Sequence, residues 1–300
     1  MELELNELSK YVIPVFSFLI VFEYLLARHY FDLKESLSGI AIGIGASIMS
    51  LISKTFTLGV FILFFNVFKE LRLDFFCYNS LGWSWYIWIL AILCDDFNFY
   101  WHHRLSHSIR LLWAAHVPHH SSKSFNFIIG LRNGWFISLY KPIYWVWMAA
   151  MGFEPLMIAG CLIINSIYQF FLHTQMVPNL GIFERIFNTP KLHIVHHSCN
   201  LEYLLDKNHG GILIIWDKLF GTYKPYVAEI EPQLGILKDP KTHNPFILNT
   251  HEFYSILKDV KNTSSWLNKL KYIFYPPGWS PDRKTLTTRQ LQKELLKQKL

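Results

Sequence analysis

Long apolar runs are the feature of this sequence that most constrains its fold. Five of them alternate with polar segments: Tyr11–Ala27, Leu37–Phe68, Gly82–Tyr100, Trp135–Met151 and Pro155–Leu172. A helix needs roughly 17–25 apolar residues to cross a bilayer. Backbone polar groups in lipid must be satisfied within the segment itself, which helices achieve. The runs therefore predict an all-α, integral-membrane, multi-pass helical bundle.

The number of spans near the N-terminus stays open. Tyr11–Ala27 is just long enough to cross, although Glu23 interrupts it. Leu37–Phe68 is too long for one simple span and short for two, so one kinked helix and a tight hairpin are both compatible with it. Gly39 and Gly43 within this run have the small-residue spacing of closely packed helices in lipid.

Composition supports a membrane setting. Hydrophobic residues make up 52% of the chain and charged residues only 17%, against about 25% charged in soluble domains. The net charge of +6 fits either nucleic acid or an anionic membrane surface. The apolar runs favour the membrane, and we expect no nucleic-acid partner. The acidic first ten residues lack the basic region of a cleavable signal, so the first run is interpreted as an anchor.

The chain divides into three predicted regions. Residues 1–80 hold the N-terminal transmembrane helices, 81–225 a catalytic region that includes further transmembrane helices, and 226–300 a polar C-terminal helical extension. Amphipathic helical patches lie near 252–274 and 286–299, where lysines are frequent. The four cysteines are far apart and form no CxxC pair, which predicts free thiols rather than disulfides or a cysteine metal site.

Nine of the 14 histidines form a spaced set in the polar segments between the later runs. The pattern is HxxxH, HxxHH, a lone histidine and HxxHH: His103 and His107; His116, His119 and His120; His173; His193, His196 and His197. Residues three and four apart share a helix face. We therefore expect the two rings of the first motif, and all three rings of each later block, to converge.

This set predicts a site for two metal ions. Imidazole suits Zn, Cu, Fe and Ni, and a single zinc takes only three or four ligands, whereas eight or nine histidines suit a pair of ions. Asp96 lies about two helical turns before His103 and is predicted to orient a ligating ring. Lone histidines (His29, His243, His251) receive no role, and His102 points about 100° away from His103 on a helix.

The order of runs and histidines predicts where the site lies. Two apolar runs separate the two histidine-rich segments, so the chain would leave the membrane surface and return to it. Both segments should then lie on the same face of the membrane. We expect the cytoplasmic face, where reductant is available.

At these residues the chain resembles the fatty acid hydroxylase / sterol desaturase superfamily. The matching text is DFNFYWHHRLSH at 96–107, HVPHH at 116–120, HIVHH at 193–197 and DKNHGGILIIWDKLFGT at 206–222. The resemblance covers about residues 80–225. Within the superfamily the chain is most similar to the alkylglycerol monooxygenase-like branch, through LWAAH at 112–116, GLR at 130–132 and YPPGW at 275–279.

The resemblance implies a di-iron enzyme with a histidine-only ligand set that uses O₂ to hydroxylate or desaturate a lipid. The histidines of the three motifs would be the ligands, with His173 a further candidate. His209 stands where many members have Tyr, so its role stays open. Asp206, Asn208 and Asp217 would support the site, and Asn208 and Asp96 are the catalytic candidates. The chain has no motif for its own redox cofactor, which implies a separate electron donor: cytochrome b5, ferredoxin or tetrahydrobiopterin.

Other functions are compatible with many histidines. A metal transporter would place ionisable groups near the bilayer midplane, but here the histidines lie at the ends of the runs. A zinc hydrolase would need a motif such as HExxH, which is absent from the sequence. A polytopic metal-binding protein without oxygenase activity stays open. Metal uptake into vesicles without lipid oxidation would favour the transporter.

Overall fold

The computed structural model describes residues 2–203 and 205–298, and helices dominate them. The α-helices are α1 Glu2–Ala27, α2 Leu33–Val67, α3 Lys69–Phe76, α4 Trp85–Ser108, α5 Arg110–His120, α6 Phe127–Gly130, α7 Ile137–Tyr140, α8 Val146–Ala150, α9 Pro155–Leu172, α10 Pro190–His196, α11 Ile215–Leu219, α12 Pro245–Asn262, α13 Trp266–Phe274 and α14 Thr288–Gln298. Extended pairing within these residues is limited to two isolated bridges. The predicted all-α class is confirmed.

Three helical segments are long and apolar enough to cross a membrane: Lys10–Tyr30, Leu33–Phe76 and Pro155–Leu172. The second settles the ambiguous run, because α2 continues into α3 with only a turn at Phe68. It is one interrupted helix and not a hairpin. At about 1.5 Å per residue, the 35 residues of α2 exceed the roughly 30 Å hydrocarbon core.

Two predicted spans differ from the structure. Gly82–Tyr100 forms most of α4, but α4 is not among the segments apolar enough to cross, since it carries the buried pair Asp95 and Asp96. Trp135–Met151 is not one helix but α7, a 3₁₀ turn and α8. Pro142 at the start of that turn lacks the N–H that a continuous α-helix requires. Of the two predicted passes between the histidine-rich segments, only Pro155–Leu172 is one continuous helix.

The apolar core lies where α2, α4, α8 and α9 meet. Its buried members are Phe61, Ile87, Ala91, Trp145, Met148, Ala149, Phe153, Met157, Ile158 and Cys161. The cysteines are all free thiols, as predicted. This core fixes α4 and α9, whose ends carry His103, His107 and His173.

Small residues on α2 allow the segment after α6 to lie against it. A Cβ atom added to Gly43 would be 3.0 Å from the carbonyl oxygen of Leu131, and one added to Gly45 would be 2.3 Å from Trp135 Nε1. The predicted close packing at Gly39 and Gly43 is present: Gly39 faces Ile128 of the short helix α6, and Gly43 faces Leu131 just after it. This approach brings Arg132 to Glu35 at the start of α2, and their side chains form an ion pair of 2.9 Å.

The C-terminal helices cover the histidine-bearing helices. α12 and α13 pack on α5, and α14 contacts the 3₁₀ turn at Leu201–Tyr203. The backbone N–H of Arg110, the first residue of α5, donates to the carbonyl of Tyr275 just after α13. The division at residues 80 and 225 remains a prediction.

Candidate metal centre

The fold brings the nine predicted histidines together from four helices. His103 and His107 lie on α4, and the HxxHH block at 116–120 forms the last turns of α5. His173 follows the last residue of α9, and the second HxxHH block runs along α10 to its C-cap. Thr189 and Pro190 start α10, because the Thr189 hydroxyl accepts the Leu192 N–H in the manner of an N-cap. None of the nine is more than 7% exposed.

The rings form two groups of possible ligand atoms, each within 4.8 Å of one another. The first group is His103, His107, His116, His120 and His196, and the second group is His119, His173, His193 and His197. Both histidine-rich segments contribute to both groups. The two segments therefore meet at one place in the fold, and their shared face of the membrane stays a prediction.

The division within each HxxHH block differs from the prediction. His116 and His120 lie in the first group while His119 lies in the second, and His196 is likewise separated from His193 and His197. The prediction that three rings of a block converge on one point is wrong. Successive residues on a helix are about 100° apart, so the i+3 ring diverges from the i and i+4 rings. Each block therefore contributes to both groups.

The ring nitrogens have the spacing expected of ligands around an ion. In the second group the Nε2 atom of His173 lies 3.2 Å from that of His119 and 3.1 Å from that of His193. In the first group the Nε2 of His120 lies 3.1 Å from that of His116 and 3.2 Å from that of His196. Nitrogens bonded to one ion at about 2.1 Å would be roughly 3.0–3.4 Å apart. The groups are compatible with a di-metal site.

The opposite ring nitrogens define the tautomers in the first group. The Nδ1 of His103 lies 2.9 Å from the carbonyl oxygen of His209, and that of His196 lies 2.7 Å from the carbonyl oxygen of Lys207. The Nδ1 of His107 lies 3.0 Å from Asp206 Oδ1. These oxygens accept hydrogen bonds, so each Nδ1 donates and each Nε2 keeps its lone pair. The Nε2 atoms of His103 and His107 are buried without a partner, as a metal-binding nitrogen would be before it meets an ion.

One short loop, Asp206–His209, supplies all three of these acceptors. Asp206 and Asn208 have φ values of 48° and 56°, in the left-handed region that aspartate and asparagine adopt more readily than other residues besides glycine. Asn208 holds the loop by donating to the carbonyls of Leu192 and Lys224, at 2.9 and 2.7 Å. Asp217 accepts the next two N–H groups of the chain, from His209 and Gly210. This loop orients the first group.

In the second group the acceptors come from other segments. The Nδ1 of His173 lies 2.7 Å from the carbonyl of Gln169, one turn earlier in the chain. The Nδ1 of His119 lies 3.3 Å from the carbonyl of Arg132. The Arg132 side chain also donates to the Pro118 carbonyl and the Ser121 hydroxyl. Arg132 therefore fixes both sides of His119.

Burial keeps most of these rings neutral. It lowers the pKa of His173 to about 4. It lowers the pKa of seven others well below the ordinary value, with repulsion from neighbouring rings as a further cause: His103, His116, His119, His120, His193, His196 and His197. Neutral imidazole is the form that binds metals. The site therefore holds its nitrogens ready at neutral pH.

Asp96 does not bond to a ligating ring, contrary to the expected arrangement. Its carboxylate accepts the backbone N–H groups of Ile212 and Leu213, at 2.5 and 3.0 Å, and the Trp216 indole at 2.9 Å. Gly211 lies so close that a Cβ atom there would be 2.5 Å from Asp96 Oδ1. Asp96 therefore links α4 to residues 212–216, which follow the Asp206–His209 loop. Asp206 is the carboxylate that contacts a histidine ring.

The remaining histidines lie outside both groups. His102 is buried against Tyr140 and Tyr144, and neither of its ring nitrogens has a partner. The Nε2 of His209 lies 3.1 Å from the carbonyl of Asp206, while its own carbonyl accepts from His103. His209 therefore contributes to the first group through its backbone.

Two carboxylates in apolar helices were missed as parts of the site. Glu35 pairs with Arg132, and both are buried. Glu23 is fully buried in α1 and accepts from the Phe127 N–H and the Thr174 hydroxyl, at 2.8 and 2.5 Å. An acidic residue within a membrane helix is a signal for such a role, although the run around Glu23 shows it only as an interruption of the apolar residues.

A cavity of about 650 Å³ opens beside the first group. Three first-group rings line it together with Trp113, and the opposite wall includes Trp279 and Leu291 of the C-terminal region. The Trp113 ring lies 5.0 Å from the His107 ring and 5.5 Å from the His120 ring. The volume is in the range of small-molecule sites. The second group reaches this cavity only through His197.

Comparison with known proteins connects this geometry to a family. A model of the fatty acid hydroxylase family matches residues 88–222, which include all nine histidines. Among curated proteins, the chain is 34% identical to the alkylglycerol monooxygenase of Homo sapiens over 85% of this chain and 55% of that protein. It is 31% identical to the alkylglycerol monooxygenase of Danio rerio over 94% of this chain and 62% of that protein.

A bacterial relative matches a shorter part. The ornithine lipid hydroxylase OlsE of Rhizobium tropici is 32% identical over 49% of this chain and 45% of that protein. The chain spans between half and two thirds of the length of the alkylglycerol monooxygenases it matches. No solved structure gives a significant match.

Proposed function

Since this chain belongs to the fatty acid hydroxylase superfamily, we propose that it is a membrane-bound, non-haem di-iron oxygenase that hydroxylates or desaturates a lipid. One observation carries the proposal: nine buried histidines form two adjoining groups at the ends of helices in a membrane protein. We assign one iron to each group. Iron is the metal of choice because the reaction requires a redox-active ion with imidazole ligands.

The bound irons would supply the activation of O₂ and the removal of hydrogen from a lipid carbon. For hydroxylation, one oxygen atom enters the C–H bond and the other leaves as water, so two electrons and two protons must come from outside. Cytochrome b5, ferredoxin or tetrahydrobiopterin are the donors to test. If the carbon adjoins an ether oxygen, the product is a hemiacetal, which collapses to an aldehyde and an alcohol.

The protein's own residues would hold the reacting parts in place. The Asp206–His209 loop fixes the tautomers of three first-group rings. Asp96 and Asn208, the catalytic candidates, would act by positioning this loop, since their contacts are to its backbone and its neighbours. The cavity beside Trp113 would receive the lipid. We place this face of the molecule in the cytoplasm, where the electron donors are found.

Lipid analysis under ¹⁸O₂ tests the proposal. Cells producing the protein are compared with cells producing His196→Ala, and extracted membranes are supplied with each of the three donors in turn. Ether lipids are tested first because four relatives are alkylglycerol monooxygenases. The expected result is an ¹⁸O-labelled or unsaturated lipid product that the variant does not form. Metal uptake into vesicles with no lipid product would instead support a transporter.

A further inference from the structure

The C-terminal helices α12 and α13 carry an outward surface that the oxygenase proposal does not use. Its exposed residues, called here the basic aromatic face, are Tyr254, Leu257, Lys258 and Lys261 on α12 and Trp266, Leu267 and Phe274 on α13. The α12 members are spaced i, i+3, i+4 and i+7, so they share one side of that helix. Trp266 is 72% exposed, Tyr254 70% and Leu267 59%.

The two acidic residues of these helices point the other way. Glu252 and Asp259 both bond to the buried Arg110, each at 2.7 Å. Arg110 also lies over the ring of Tyr272, on the inner side of α13. Both acidic side chains of the two helices are therefore directed at Arg110 and not at the outer surface. The outer surface keeps large apolar side chains with lysines between them.

The start of α12 lies beside a candidate membrane helix. At the start of α12, the Phe246 and Trp135 rings are 5.1 Å apart, and Asn249 accepts the Trp135 backbone N–H. Trp135 in turn donates from its indole to the carbonyl of Ile42, which is within the candidate span Leu33–Phe76. The helix pair therefore extends from the side of a membrane helix.

We propose that the basic aromatic face rests on an anionic lipid surface on the same side as the metal centre. Tryptophan and tyrosine concentrate at the interface between a membrane and water. Lysines flanking an apolar helix face are the pattern of helices that lie in that interface and bind anionic lipids. Trp266, Leu267 and Phe274 would sit among the head groups, and Lys258 and Lys261 would contact their phosphates.

Fluorescence quenching of the full-length protein tests this contact. The protein is placed in nanodiscs of phosphatidylcholine or phosphatidylglycerol whose acyl chains carry bromine near the glycerol. The signal of Trp266 is the difference in emission between the protein and Trp266→Phe. We expect strong quenching of Trp266 in phosphatidylglycerol and weaker quenching in phosphatidylcholine. Removal of one lysine, in Lys258→Gln or Lys261→Gln, should lower the equilibrium constant for contact about fivefold in phosphatidylglycerol.

A matched control and the contrary outcomes follow from the same design. Lys293→Gln removes an exposed lysine on α14 and should leave the quenching of Trp266 unchanged. Equal quenching in both lipids would overturn the anionic preference. Absence of quenching in every disc, with slower electron transfer from a donor protein in the lysine variants, would make the face a protein docking site and overturn the proposal. The readout does not depend on oxygenase activity, so the two proposals can fail separately.

Discussion

The two histidine groups have similar rings but different supports. In the first group, three Nδ1 atoms bond to one loop, Asp206–His209, and one of the acceptors is a carboxylate. In the second group, the two bonded Nδ1 atoms meet carbonyls of Gln169 and Arg132, which lie in separate segments. The first group also borders the cavity with three of its rings. The first group therefore depends on one loop for its orientation and is open to the cavity, whereas the second group depends on two separate segments.

Removing a single ring from either group should have the largest effect, on both iron content and turnover. His196→Ala deletes a first-group ligand and His193→Ala a second-group ligand, so each should lose the iron of its own group, and neither should turn over lipid. Iron per chain, measured on purified protein, checks this. His29→Ala changes an exposed histidine outside both groups and should retain about two irons. A fully metallated, active His196→Ala would refute the assignment.

Breaking the buried ion pair beside the second group should lower the free energy of unfolding more than the other proposed substitutions. Arg132→Leu leaves the Glu35 carboxylate buried without its partner, and breaking such a pair costs about 3–5 kcal/mol. It also removes the donors to Pro118 and Ser121 that hold the end of α5. Thermal unfolding of the purified protein measures the loss. Glu35→Gln keeps a hydrogen-bond acceptor and should cost less; equal or smaller loss in Arg132→Leu would contradict this account.

Changes in the loop should weaken the first group alone. In Asp206→Ala the His107 ring loses the carboxylate that orients it, and loss of such support typically costs about 10–100-fold in metal affinity. Asn208→Ala releases the loop from Leu192 and Lys224 and should act in the same direction. Competition with a chelator measures the affinity of each iron. Asp239→Asn, whose side chain pairs with Lys123 away from the rings, is the control, and equal weakening of both irons would argue against separate supports.

A change of pH near neutrality should have the smallest effect on the free energy of unfolding. Burial holds the pKa of His173 at about 4, whereas an unfolded histidine titrates near about 6.5. Below that value the unfolded chain binds more protons than the folded chain, so the free energy of unfolding should fall as the pH drops from about 6.5 towards 4. Thermal unfolding of the metal-free protein at a series of pH values measures this loss of stability. A metal-free protein that gains stability as the pH falls through this range would contradict the assigned neutral rings.

The sequence predicted the composition of the site better than its arrangement. Eight of the nine rings lie at local helical spacings, so their approach to one another within each motif follows from short stretches of the chain. The 100° step between neighbouring residues separates His119 from His120 and His196 from His197, but which rings of different helices share a group depends on how α4, α5, α9 and α10 pack together. Asp96 has the right spacing from His103 but bonds to residues 212–216, because that part of the chain folds back onto α4.

The membrane helices show the same limit. Apolar length predicted α1, α2 and α9, because hydrophobicity over 20 residues is a strong local signal. It failed at Trp135–Met151, where Pro142 and packing on α2 break the run. The partnership of Glu35 with Arg132, which are 97 residues apart, depends on tertiary structure and had no motif of its own. For Glu23, its position inside an apolar run was a signal in the sequence.

The central claim is that two irons occupy two neighbouring histidine groups. Anomalous diffraction at the iron edge, from crystals of the purified protein, locates them directly. We expect two peaks, one enclosed by His103, His107, His116, His120 and His196 and the other by His119, His173, His193 and His197. A single peak, or iron bound away from these rings while lipid oxidation persists, would contradict it.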